Sequence, residues 1–230
     1  MEPYYEHGDI TIYHGDCREV MADMADASVN AIITDPPYNV SDDIPDITFD
    51  NRADMVRDFG EWDRLDWHPQ SLIDAAARLL VPGGALLAFT SDRLLGTYRT
   101  PSLKVRGTIV WEKTNPAPSP RPGYVSATEW IIWLQQPGAA GTWNSGGYVP
   151  NILRHSTPRD GYHPTQKPDS LVRELLLRHT TPGDVVIDPF AGSGTTLRAA
   201  KDLGRKAIGI EVEERYCEIA TQRLSQEVML

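Results

Sequence analysis

The chain has 230 residues, 40% of them hydrophobic, enough to bury one good core and too few for two large domains. Its two cysteines, Cys17 and Cys217, and the lack of any His/Cys cluster at ligand spacing argue against a disulfide framework and against a metal site. A net charge of −10 argues against a nucleic-acid partner until the charges are mapped: residues 93–173 hold 10 Lys+Arg and 4 Asp+Glu, a net of +6, leaving 12 basic and 28 acidic residues, or −16, elsewhere.

The first ten residues show no charged-then-apolar leader and no apolar run is long enough to span a bilayer, so a cytoplasmic location without membrane attachment is expected. Apolar runs and turn signals predict a strand at Ile10 to Tyr13, a helix at Cys17 to Met24 and a strand at Val29 to Thr34. Residues 39–66 are acidic and turn-rich. A helix follows at Gln70 to Leu80, stopped by Pro82-Gly83-Gly84, then a strand at Ala85 to Thr90. Gly107 to Glu112 and Glu129 to Leu134 flank a proline-rich stretch from Asn115 to Gly123 that no helix or central strand accommodates; they predict an antiparallel pair joined by a stiff loop. Residues 136–162 are rich in Gly, Asn and Pro with little periodicity. The remainder alternates: helix Ser170 to Arg178, strand Val185 to Ile187, helix Thr195 to Leu203, strand Ala207 to Ile210 and helix Glu213 to Leu224. This alternation predicts an α/β fold, a single domain with a doubly wound, mainly parallel sheet.

Two strings carry chemistry. The strand ending in Asp188 runs through Pro189-Phe190-Ala191-Gly192-Ser193-Gly194-Thr195 into a helix, so backbone at Gly192 and Gly194 can approach a ligand and free N–H groups can face an anion. Glu211 closes the next strand about 20 residues on, the place for a side chain that accepts from ribose hydroxyls. A nicotinamide dinucleotide requires a third glycine that Thr195-Thr196-Leu197-Arg198 does not supply, and no Gly-Lys-Ser/Thr completes a Walker loop. A smaller adenosine-bearing ligand with a carboxylate end fits better. Upstream, Asp35-Pro36-Pro37-Tyr38 follows an apolar strand; the rigid prolines set the Pro36 carbonyl beside the Asp35 carboxylate, two acceptors suited to one –NH₂ group, with Tyr38 as a stacking face.

Asp35 to Tyr38 (DPPY), His163 to Pro168 (HPTQKP) and Asp188 to Thr196 (DPFAGSGTT), in this order, resemble the amino-group DNA methyltransferases of the circularly permuted β class. The resemblance implies a Rossmann-like S-adenosylmethionine-dependent methyltransferase fold with seven strands, mostly parallel, and an antiparallel edge hairpin. The catalytic half would be 1–113, the target-recognition segment about 114–162 and the cofactor-binding part 163–230. The strand Ile10 to Tyr13 would lie beside the last strand of the chain, bringing Asp16 to the cofactor. Asp35, Pro36, Pro37 and Tyr38 would be catalytic. Asp16 and the Cys17 backbone would receive the cofactor adenine and Glu211 its ribose. Thr165, Gln166 and Lys167 with Gly192, Ser193, Gly194 and Thr195 would line its methionine end, Lys167 against the carboxylate; Asp35, Asp188, Phe190 and Ala191 complete that set. The implied reaction is methyl transfer to the N6 amine of a flipped-out adenine in double-stranded DNA. Cytosine N4 is the nearest alternative and a catalytically silent DNA-binding subunit the next; Asp at position 35, where many cytosine-N4 relatives carry Ser, favours adenine. Lys113, Arg121, Arg154, Arg159 and His163 are the candidate phosphate contacts, and a homodimer would cover more duplex than so small a chain alone.

Overall fold

The computed structural model describes residues 1–38, 68–118, 123–159, 162 and 165–226. Among them nine strands form one sheet: β1 (Tyr5–His7), β2 (Ile10–His14), β3 (Val29–Thr34), β4 (Leu80–Thr90), β5 (Lys104–Lys113), β6 (Thr128–Gln135), β7 (Ile152–His155), β8 (Val185–Asp188) and β9 (Lys206–Glu211), in the spatial order β1-β2-β9-β8-β3-β4-β6-β5-β7. The five strands β2, β9, β8, β3 and β4 are mutually parallel, and the expected hairpin β5–β6 joins β4 through an antiparallel β6. β2 lies against β9 from Ile10 opposite Ala207 to His14 opposite Glu211, so the earliest of the parallel strands closes the sheet beside the last, as expected.

The seven expected strands are present, with two more at the edges. β1 pairs antiparallel with β2, and β7 adds parallel to β5. Both are only three or four residues long, too short for a period to register, and β7 falls in the stretch read as irregular. A second difference concerns Pro82-Gly83-Gly84. The helix ends at Leu79 and the chain turns straight into β4, which carries these three residues as an irregularity: Val29 pairs with Leu80 but Ala31 with Ala85. Gly83 there has φ +86, and the strand edge is held by hydrogen bonds exchanged with Gln136.

Helices cover both faces. α1 (Cys17–Asp23) and α2 (Pro69–Leu79) pack with Ile32, Leu86 and Ala88; α3 (Asp169–His179), α4 (Thr195–Asp202) and α5 (Glu214–Ser225) pack with Ala31, Ile33 and Leu87. The alternation of neighbours along β3 and β4 is the period-two pattern of a sheet buried on both sides. α2 shows the local logic: His68 accepts the Gln70 N–H as cap, Pro69 starts the helix, and Leu72, Ile73, Ala76 and Leu79 make its buried stripe. α4 comes close to the sheet because β9 carries Gly209, where an added Cβ would stand 2.6 Å from Leu197 and 3.0 Å from Ala191. Close helix packing thus uses a glycine on the strand instead of a third glycine in the turn.

Candidate active site

The C-terminal ends of β2, β3, β8 and β9 open into one cleft of about 740 Å³, the expected position for a ligand in an open parallel sheet. Its lining includes Asp16, Cys17, Asp35 to Tyr38, Thr165 to Lys167, Asp188, Phe190 to Ser193, Thr195 and Glu211. The residues singled out in three separate stretches of sequence therefore meet. Gly194 sits just behind the lining, and its role is conformational: at φ +79 it starts α4, and an added Cβ would lie 2.9 Å from Ala220.

The turn after β8 is fixed from several sides. The Gly194 N–H donates to the Ala191 carbonyl at 2.8 Å, closing a tight turn over Gly192 and Ser193, and Gly192 adopts φ +49 with open space where a side chain would be. The Glu211 carboxylate accepts from the N–H groups of Gly192 (2.8 Å) and Glu213 (2.9 Å), tying the turn to the end of β9. Burial raises the Glu211 carboxyl above its usual range against these two bonds. Each carboxylate oxygen has more than one lone pair, so both remain able to accept from a ligand hydroxyl. At the base of the turn, buried Asp188 accepts from the Thr34 hydroxyl at 2.7 Å and the Phe190 N–H at 3.1 Å, and burial pushes it up to about 6.

Asp16 caps α1 through the Arg18 N–H at 2.8 Å and also holds the Arg18 guanidinium at 2.5 Å; that guanidinium keeps its carboxyl below the usual range. Cys17 is buried, which pushes its thiol up to about 12, away from thiolate chemistry at neutral pH.

The other wall is a chain of charges. Asp35 Oδ1 accepts the Tyr38 hydroxyl at 2.6 Å, and Asp35 Oδ2 stands 2.5 Å from Lys167 Nζ. Lys167, only 9% exposed, also faces Glu129 at 3.2 Å, and Glu129 in turn pairs with Lys113 at 2.8 Å. Burial raises the Asp35 carboxyl, with Lys167 opposing. Burial acts on Glu129 in the same sense, but its two lysines outweigh it and its carboxyl lies below the usual range. For Lys167 the two carboxylates likewise outweigh burial and hold the ammonium charged. The Tyr38 hydroxyl, buried and beside Asp35, is raised well above its usual range and stays a donor. Trp111 and Phe89 form the apolar part of this wall, the Trp111 indole N–H being anchored to the His155 carbonyl at 2.9 Å.

Glu129 and Trp111 were not singled out from the sequence. One signal was available: Glu129 is among only four acidic residues in the basic stretch, at the start of a predicted strand. Of the expected phosphate contacts, Lys113 is committed to Glu129, Arg154 is exposed beside Glu112 at 3.1 Å, Arg159 lines the cleft, and Arg121 and His163 lie outside the described residues. Gln166 accepts the Tyr162 N–H at 2.9 Å through its side-chain oxygen. Among the described residues no group of three His, Cys, Asp or Glu is arranged to hold a metal, and no helix is long and apolar enough to cross a membrane.

A doubly wound sheet, a glycine turn tied to an acidic residue on the next strand, and a Pro-Pro-Tyr corner facing that turn define a Rossmann-like, S-adenosylmethionine-dependent methyltransferase. The chain belongs to the DNA methylase family: the model N6_N4_Mtase, DNA methylase, matches residues 29–146 and 141–222. Type II methyltransferase M2.DpnII of Streptococcus pneumoniae is 31% identical over 98% of this chain and 93% of its own length, and M2.MboI of Moraxella bovis is 30% identical over 97% and 91%. Among solved structures, the M1.HpyAVI–SAM complex superposes with a TM-score of 0.71 at 31% identity, covering 94% of this chain and all of that one. The cytosine-N4-specific PvuII DNA methyltransferase shares the fold, with a TM-score of 0.75 at 18% identity over 99% and 90% of the two chains. The protein is an S-adenosylmethionine-dependent DNA methyltransferase of the amino-group kind.

Proposed function

We propose that the protein methylates the N6 amine of adenine in double-stranded DNA, with the target base turned out of the helix into the cleft between Asp35 and the glycine turn. The observation that carries this reading is the shielded Asp35 carboxylate, oriented by Tyr38 and Lys167, sharing one cavity with the turn after β8. An exocyclic amine conjugated to a purine is a poor nucleophile because its lone pair is delocalised. A carboxylate and a carbonyl accepting its two hydrogens favour the pyramidal form and stabilise the positive charge that grows on nitrogen. Asp35 and Pro36 would take those hydrogens, Pro37 would hold the corner rigid, and Tyr38 would cover the base. The cofactor, when bound, supplies a methyl group on a cationic sulfur.

Asp16 and the Cys17 backbone would meet the cofactor adenine, Glu211 the ribose, and Thr165, Gln166, Lys167, Phe190, Ala191, Ser193 and Thr195 the rest. Lys167 would serve both a cofactor carboxylate and Asp35, since it already bridges Asp35 and Glu129. The stretch of about 114–162 would read the DNA, with Arg154 and Arg159 on phosphates. Asp35, in place of the serine of many cytosine-N4 relatives, favours adenine over cytosine.

Purified protein incubated with methyl-labelled S-adenosylmethionine and duplex DNA, followed by nucleoside mass spectrometry, tests the reading. Label in 6-methyladenine is expected. Label confined to 4-methylcytosine would overturn the base assignment, and no transfer to any duplex under conditions of DNA binding would overturn the enzymatic reading.

A further inference from the structure

Arg223, near the end of α5, belongs to none of the three sequence motifs, yet its side chain touches the glycine turn and residues on either side of Thr165 to Lys167. It is 7% exposed. Its Nη1 donates to the Ser193 carbonyl at 2.6 Å and lies 3.1 Å from the Ser193 hydroxyl and 3.3 Å from the Thr195 hydroxyl. Its Nη2 reaches Asp169 at 3.3 Å, in the first turn of α3 and two residues after Lys167. The Tyr162 ring lies over the guanidinium at 4.9 Å, and the Tyr162 N–H is itself bound to Gln166.

The geometry is informative at the Ser193–Gly194 peptide. A trans peptide points its C=O and N–H in opposite directions. Here the C=O is held by Arg223 and the N–H by the Ala191 carbonyl, so one plane is gripped at both ends. That plane joins Ser193 to Gly194, with Gly192 and Gly194 both at positive φ, so the backbone here is permissive and a charge-assisted bond from a buried guanidinium is a strong restraint on it. The fork geometry lets the same group reach the start of α3 and so set the spacing between the turn and Lys167.

We propose that Arg223 is a positioning residue for the cofactor site, locking the Ala191–Thr195 turn against Tyr162 and the start of α3 at Asp169, so that the turn and Thr165 to Lys167 present fixed walls to the methionine end of S-adenosylmethionine. The role rests on the cofactor placement read above. It predicts that Arg223 acts on cofactor affinity and leaves the chemical step and DNA affinity alone, since its partners Ser193, Thr195, Asp169 and Tyr162 include neither Asp35 nor the candidate phosphate contacts Arg154 and Arg159.

The test measures S-adenosylmethionine affinity by titration calorimetry, steady-state kinetics and thermal unfolding for native protein, R223K and R223Q. R223Q is expected to raise Kd and KM for the cofactor by roughly tenfold to a hundredfold, the range for losing a charge-assisted hydrogen bond, with kcat at saturating cofactor within about threefold of native and DNA affinity unchanged. R223K, which keeps a charge but loses the fork, should fall in between. Unchanged cofactor affinity in folded R223Q, or a fall in kcat with KM unchanged, would overturn the proposal. Should R223Q fail to fold, R223K decides: a rise of about threefold to tenfold supports the role and native affinity overturns it. Native protein that does not bind S-adenosylmethionine would instead sink the cofactor placement itself.

Discussion

Strand β6 and helix α3 each connect two buried polar clusters built on opposite principles. At the cleft, β6 contributes Glu129 and the segment leading into α3 contributes Lys167, and the charges there are matched: Lys113, Glu129, Lys167 and Asp35 alternate in sign. Four residues along β6, on the same face, Trp133 meets His179 from the last turn of α3. Trp133 and Trp143 stack at 5.6 Å, and both rings meet His179 edge-on at 4.8 and 5.4 Å. Neither ring nitrogen of His179 has a hydrogen-bond partner among the described residues, and burial together with the nearby Arg178 charge lowers it to about 4. One end of the layer keeps its charges by pairing them; the other keeps an imidazole neutral among indole rings, with the Arg106 guanidinium over the Trp133 ring at 5.4 Å. The sheet keeps both because Ile131, Leu171, Val172 and Leu175 lie in the apolar core that these two elements share.

Acid should therefore act on the two clusters in opposite senses. The largest effect is expected at the cleft. Lys167→Met leaves the half-buried Asp35 and Glu129 without their shared cation, a loss of about 3 kcal/mol at neutral pH. Without Lys167 the burial that raises Asp35 is unopposed and Glu129 loses one of the two cations that hold it low, so both carboxyls rise in the variant and are relieved by protonation; the deficit should shrink as pH falls, and a deficit that grows on acidification, in urea unfolding at pH 5 and pH 8, would contradict the pairing.

His179 works the other way. Its folded value, about 4, lies below the unfolded 6.5, so the folded state binds fewer protons between these limits. The stability is fully present above pH 6.5 and is lost as pH falls towards 4. His179→Phe keeps the edge-on packing without the titration, so at pH 5 the native protein should trail this variant by about 2 kcal/mol relative to their difference at pH 8. Asp188, raised to about 6, contributes with the opposite sign over an overlapping window, which is why the variant must be compared with native protein at each pH. A pH-independent difference would remove His179 from the account.

The smallest effect is expected for Trp143→Ala. Trp143 is 38% exposed and shields His179 from one side, so its loss should cost roughly 1 kcal/mol of stacking. It should also admit water and move His179 back towards its ordinary value, reducing the acid sensitivity. Monitoring the imidazole by NMR titration checks this; an unmoved His179 would mean Trp143 is not the shield.

The sheet was legible in the sequence because buried parallel strands read as apolar runs and their helices carry caps and stripes: Val29–Thr34 is matched to the residue, and α1 to α5 within one or two. The glycine turn and the Pro-Pro-Tyr corner were legible because backbone chemistry demands those residues locally. Glu129, Arg223 and the Trp133–Trp143–His179 cluster were not. Their meaning lies in partners 10 to 61 residues away, and a lone charge or aromatic on an amphipathic element has an ordinary solvated or core reading until topology brings the partner. Pro82-Gly83-Gly84 shows the converse, a strong punctuation signal that the sheet absorbed as an irregularity in β4.

The central claim is that the paired carboxylate of Asp35 prepares the target amine while the turn after β8 holds the cofactor. Single-turnover methyl transfer to duplex DNA, with S-adenosylmethionine affinity measured on the same samples of native protein and Asp35→Ala, tests it most directly. The account predicts transfer reduced by about a thousandfold or more with cofactor affinity within about threefold of native. Near-native transfer, or a loss of cofactor affinity that matches the loss of transfer, would contradict it.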